Sequence, residues 1–255
     1  MNRRSRPAAL ASAVLLLVLV SAGTVAAGGA SPETSAVGPA RGGTLLDRVQ
    51  QRLIPYGPKR KRQMARYSRR HYGEYQWRLV RPRLIVQHYA DATSLDAIFN
   101  TFRLTGSDPT WGETPNVCSH FAVGRRGGLV QFVNLRVRCR HVIGLNHTAI
   151  GIEHVGDSDR DVLSSPRQMR ASLRLTRALR CRFRIPVRGV IGHNESLRSP
   201  YFRERVPRFK GQTSGDFRRS SMRRYRKRLA AMAPCPRPSG AVRPGRIAVR
   251  SGADP

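Results

Sequence analysis

The chain contains seven histidines, and six of them (His88, His120, His141, His147, His154 and His193) fall between positions 88 and 193. Neutral imidazole is a favoured donor to zinc, and a catalytic zinc takes three protein ligands with one position left open. His88 and His193 stand out because each closes a short apolar run, Leu84-Ile85-Val86-Gln87 and Val190-Ile191-Gly192. A third donor is then required. Downstream of His193 the candidates are Glu195, Glu204 and Asp216, while Cys235 is better spent in a disulfide. A proton acceptor is also needed. Glu153 directly follows Ala149-Ile150-Gly151-Ile152, where a carboxylate has no cheap structural reason to be; burial there would raise its pKa toward the range useful to a general base.

The elements that must position these groups follow from the apolar pattern. Residues 84–88 predict a buried strand, followed by a helix capped at Thr93 or Ser94 with Leu95, Ile98, Phe99 and Phe102 as its buried stripe. Two strands, 119–124 and 129–134, are joined by the turn Arg125-Arg126-Gly127-Gly128, and 148–154 is a further strand. Pro166 opens a helix over 167–183 with Met169, Leu173, Thr176 and Leu179 on one stripe; a short strand at 189–193 and a basic helix over 220–232 complete the pattern. Upstream, Leu45, Leu46, Val49 and Leu53, then Met64, Tyr67 and His71, predict two short amphipathic helices. Strands and helices alternate without repeats, so the expected architecture is a single α/β domain with a central mixed sheet. In such sheets ligands gather where strands end, which is where His88 and His193 lie.

Composition narrows the setting. Arg3, Arg4 and Arg6, the apolar run Ala8 to Val20 and the small residues Val25-Ala26-Ala27 read as a signal peptide cleaved after Ala27. The run is shorter than the ~20 residues of a bilayer span, so no stable membrane insertion is expected after cleavage. Residues 28–43 read as a disordered leader, 44–80 as a basic helical extension, 81–233 as the catalytic domain and 234–255 as a tail. Net charge is +32, and 43 of the 47 basic residues are arginines. For an exported chain such a surface suits anionic wall polymers; no nucleic-acid motif accompanies it, and no nucleic-acid partner is expected. Four cysteines in an exported chain imply two disulfides, for which three pairings are possible; the one expected here joins Cys118 with Cys139 and Cys181 with Cys235.

Four blocks in order carry a resemblance: Ile85-Val86-Gln87-His88-Tyr89, the stretch Cys118 to Gly128, Asn146-His147-Thr148-Ala149-Ile150-Gly151-Ile152-Glu153, and Val190-Ile191-Gly192-His193-Asn194-Glu195. Together they resemble the zinc-dependent N-acetylmuramoyl-L-alanine amidases of type 2 and the related peptidoglycan recognition proteins, over about residues 80–220. The resemblance implies zinc bound by His88 and His193, Glu153 as the catalytic carboxylate, and peptidoglycan as substrate, cut at the lactyl–L-alanine amide by a secreted, wall-associated enzyme. Its third ligand, an Asp or Cys, usually follows the second histidine closely; here the best match is Asp216, 23 residues after His193, with an insertion containing Pro200-Tyr201-Phe202 between them. Ser214 takes the place two before that ligand, where relatives often carry Lys, Thr or His. His120 and Asn146 are candidates for contacting substrate. The alternative within the resemblance is a recognition protein that binds peptidoglycan without cutting it.

Overall fold

The computed structural model describes residues 44–236. The expected signal peptide, the leader and most of the tail lie outside them. The described chain is a single domain built on a mixed six-stranded sheet: β1 (Gln50–Gln51), β2 (Leu84–Tyr89), β3 (Phe121–Val123), β4 (Leu129–Gln131), β5 (Ala149–His154) and β6 (Val190–Gly192), in the order β1-β4-β3-β5-β2-β6. Only β3 and β4 pair antiparallel, so β2, β5 and β6 end on the same edge of the sheet. β2 and β5 run at its centre and are buried along nearly their whole length, which is why both read as apolar runs.

The pleat sorts side chains between two faces. On one, Ile85, Ile150, Ile152 and Val190 meet Met169, Leu175 and Leu179 of α4 (Pro166–Phe183) and Met222, Tyr225 and Leu229 of α5 (Arg219–Ala230). On the other, Leu84, Val86, Ala149 and Ile191 meet Val142 and Leu145. His88 shares its parity with Val86, Glu153 with Ala149, and His193 with Ile191, so the backbone directs all three to the face opposite α4 and α5. His88 and Glu153 are direct partners in the β2–β5 register.

Pro166 at the first turn of α4 and Ser94, whose hydroxyl accepts from Ala97 N at 3.1 Å at the start of α2 (Leu95–Phe102), are the helix starts the sequence signals. The helix expected around Met64 and Tyr67 is α1 (Pro58–Tyr72), closed by Gly73 at φ 81°. The helix expected over Leu45 to Leu53 does not form. That segment makes one 3-10 turn, Leu45–Arg48, then extends as β1, with Arg52 N and Ile54 N bonding to Gln131 O and Phe132 O; an open sheet edge satisfies more of its backbone than an isolated turn of helix could. A short helix, α3 (Asp159–Ser164), was not anticipated. The cysteines pair as expected, Cys118 with Cys139 and Cys181 with Cys235. Among the described residues no helix is long and apolar enough to cross a membrane.

Candidate metal centre

At the shared edge of β2 and β6, one ligand atom each from His88, His193 and Asp216 lies within 4.8 Å of the others. His88 Nδ1 stands 2.9 Å from Asp216 Oδ2, His193 Nδ1 stands 3.4 Å from Oδ1 of the same carboxylate, and the two imidazoles cross at 78° with centroids 4.9 Å apart. His88 and Asp216 are buried. Burial pushes the His88 pKa down against the opposing pull of Asp216, keeping the ring neutral. Burial would raise the Asp216 carboxyl, but hydrogen bonds with His193 and His88 outweigh it and hold the group ionised far below the usual range. A neutral His88 and an ionised Asp216 are the states a divalent cation requires of these two groups. His193 Nε2 is buried and has no hydrogen-bond partner among the described residues, so this nitrogen is not spent on the protein's own hydrogen bonding.

Asp216 comes from the loop before α5, and backbone contacts bring it in. Asn194 N donates to Asp216 O at 2.7 Å, Asn194 Nδ2 to Ser214 O at 3.1 Å, and Thr213 Oγ1 to His193 O at 3.0 Å. Gly192 permits the approach: a Cβ there would lie 2.2 Å from Phe217 O. The rival carboxylates are engaged elsewhere, Glu195 with Arg226 at 2.7 Å and Glu204 with His71 at 2.8 Å.

Glu153 sits opposite His88 and is 8% exposed, its pKa raised well above the carboxylate range first by burial and then by the nearby Asp216 charge. A carboxyl in this state can hold a proton near neutral pH. Beside the cluster lies a cavity of about 120 Å³ lined by Trp111, Arg140, His141, Asn146, His193 and Gln212 among others.

The two residues expected to contact substrate have polar atoms engaged within the protein. His120 is fully buried; its Nε2 donates to Val137 O at 3.0 Å and its Nδ1 accepts from Gly151 N at 3.1 Å. Asn146 borders the cavity but is 1% exposed, its Oδ1 accepting from His141 N and Val142 N and its Nδ2 donating to Tyr67 Oη. Both brace the loops around the centre. Two histidines for which the sequence favours structural or groove-lining roles also contact the centre: His141, 3.0 Å from His88 Nε2, and His154, which donates from Nδ1 to His88 O at 2.7 Å. Their only sequence signal is membership of the histidine cluster.

Two histidines at the ends of neighbouring parallel strands, an aspartate from the loop before α5 and a buried glutamate beside them form a candidate metal site. The sequence profile of the N-acetylmuramoyl-L-alanine amidases matches residues 78–206, and the chain belongs to this family of amide hydrolases. The match contains His88, Glu153 and His193 and ends before Ser214 and Asp216. Similar solved structures include the endolysin amidase LysCS from Clostridium intestinale (22% identity, 45% of this chain and 70% of that one, TM-score 0.34), a mutant endolysin from Bacillus subtilis (18%, 57% and 83%, 0.39), and PGRP-SA of Apis mellifera (18%, 46% and 73%, 0.37). No curated protein matches the chain.

Proposed function

We propose that this chain is a secreted zinc-dependent N-acetylmuramoyl-L-alanine amidase that hydrolyses the amide between the lactyl group of muramic acid and L-alanine in peptidoglycan. The observation that supports it most is the convergence of His88, His193 and Asp216 within 4.8 Å, with Glu153 buried opposite His88. Zinc held by these three residues would supply the Lewis acidity that amide hydrolysis demands. Glu153 takes the proton of the attacking water on its carboxylate and returns it to the departing L-alanine nitrogen, a role its raised pKa suits. Ser214, its carbonyl fixed by Asn194, offers an uncharged hydroxyl to the developing oxyanion in place of a cationic side chain. His120 and Asn146 act by holding the walls. Export fits the two disulfides, and a net charge of +32 fits retention on anionic wall polymers.

The test is mass spectrometry of the soluble products after purified, zinc-loaded protein digests peptidoglycan. Free stem peptides beginning with L-alanine are expected from the wild type and not from Glu153→Gln, which should still bind zinc. Peptidoglycan that is bound but uncut by the zinc-loaded wild type would replace the enzyme with a recognition protein.

A further inference from the structure

We propose that His141 is a positioning residue that sets the tautomer and ring orientation of His88, so that Nδ1 of His88 offers its lone pair to the ligand site. The inference rests on the metal-centre reading above, and it concerns how this chain prepares one ligand before any metal arrives.

A neutral imidazole carries one ring proton, and only the other nitrogen can act as a ligand. His88 Nδ1 points at Asp216, so it can serve only if the proton sits on Nε2, and that N–H needs an acceptor in a buried setting. His141 Nδ1 is 3.0 Å away. It can accept only if His141 carries its own proton on Nε2, and the Ala149 carbonyl lies 3.4 Å from that nitrogen. The chain of donors then runs one way, from His88 to His141 to Ala149 O. Reversed, it puts a lone pair of His141 Nε2 against the Ala149 carbonyl oxygen and a proton on His88 Nδ1, which would then donate to Asp216 instead of coordinating. A backbone carbonyl cannot become a donor, so the arrangement has a fixed direction.

The surroundings hold the His141 ring where this works. Asn146 Oδ1 accepts from the backbone N–H groups of His141 and Val142 at 2.9 and 2.8 Å. The ring lies over Gly151, where a Cβ would come within 2.7 Å of His141 Cγ, and packs edge-on to His120 with centroids 5.9 Å apart. The glycine in the strand that carries Glu153 thus makes room for the partner of His88. Groups behind metal-bound histidines that accept their second N–H commonly change metal affinity 10–100-fold when removed.

The experiment measures zinc affinity against a chromophoric chelator, together with the His88 tautomer from imidazole ¹⁵N shifts in the metal-free protein, for the wild type, His141→Ala, His141→Leu and His141→Gln. A glutamine can accept from His88 through its oxygen and donate to Ala149 through its amide, so it should stay within a few-fold of the wild type and keep the Nε2–H tautomer. The alanine and leucine variants should bind zinc on the order of 10–100-fold more weakly and shift His88 toward Nδ1–H. If alanine destabilises the fold, leucine fills the space without offering an acceptor and the comparison of leucine with glutamine decides. Unchanged affinity and an unchanged tautomer in the leucine variant would overturn the proposal. A wild type that binds no zinc would instead refute the metal-centre reading, and the tautomer shifts would still report on His141.

Discussion

Glu153→Gln should make the metal-free protein more stable at neutral and alkaline pH while abolishing turnover. Glu153 is 8% exposed, and the forces on its carboxyl are burial and the Asp216 charge, both of which raise its pKa well above the usual value. The folded protein therefore holds the proton more tightly than the unfolded chain does. Below the unfolded pKa, near 4.5, both states are protonated and the residue costs nothing. As pH rises above that value the unfolded chain ionises first, and stability falls until the folded pKa is passed. Glutamine keeps the shape and removes the ionisation. Each unit by which the folded pKa exceeds the unfolded one is worth about 1.4 kcal/mol of stability once both states have ionised, and each kcal/mol moves Tm by roughly 2–4 °C in a domain of this size. The variant should melt on the order of 5 °C above wild type at pH 8 in EDTA, with the gain shrinking toward zero near pH 4.5. Circular-dichroism melts across that range measure it. A gain independent of pH, or a loss at pH 8, would refute the assignment of Glu153 as a carboxyl held at a cost to the fold.

Two further outcomes test the frame around the centre. Arg140 and Asp108 are both buried and paired at 2.7 Å, and Arg140 also donates to Glu113 O and Pro115 O; Arg140→Met should lower unfolding free energy by about 3–5 kcal/mol in urea titrations, since it strands the Asp108 charge, and adding Asp108→Asn should recover part of that loss. Replacing Cys118 and Cys139 by serine opens a loop spanning 21 positions and should cost roughly 3 kcal/mol in the same titrations; an unchanged midpoint would mean the bridge adds nothing to the loop's other anchors.

What the sequence made legible depends on how each part is stabilised. β2 and β5 were readable because burial on both faces demands continuous apolar residues, and α4 because a proline start precedes a helical stripe. β1 was not: Gln50 and Gln51 are exposed and held by backbone pairing to β4, which leaves no side-chain pattern, while nearby leucines mimic a helix. α3 is six residues with one buried side chain, Val162, too short for a period to show. In the site, His88, Glu153 and His193 were visible because strand ends present them. Asp216 was one of three candidate carboxylates and was singled out only through the resemblance, since its approach depends on the Gly192–Phe217 backbone contact, which no spacing rule encodes. His120 and Asn146 have the residue types of binding groups, and only the coordinates reveal that their polar atoms are spent on Val137, Gly151, His141 and Tyr67.

The 23-residue interval between His193 and Asp216 is compatible with their close approach because the insertion is anchored at several points along its length. Arg203 N donates to Gly144 O at 2.9 Å, and Phe202 lies so close over Gly144, which has φ 79°, that a Cβ there would fall 2.2 Å from the ring. Arg205 N donates to His71 O at 3.0 Å, and the Glu204 carboxylate meets the buried His71 Nδ1 at 2.8 Å, with Glu113 3.7 Å from the other ring nitrogen. Burial opposes charge on His71, but the two carboxylates outweigh it and raise its pKa, which strengthens this tie between α1 and the insertion. Doubling a flexible loop costs only about 0.6 kcal/mol of closure entropy, less than one such buried charge-assisted hydrogen bond returns. The anchors reach α1 on one side and, through Gly144, the loop of His141 and Asn146 on the other. The insertion that lengthens the interval between His193 and Asp216 therefore also ties α1 to the loop that carries His141.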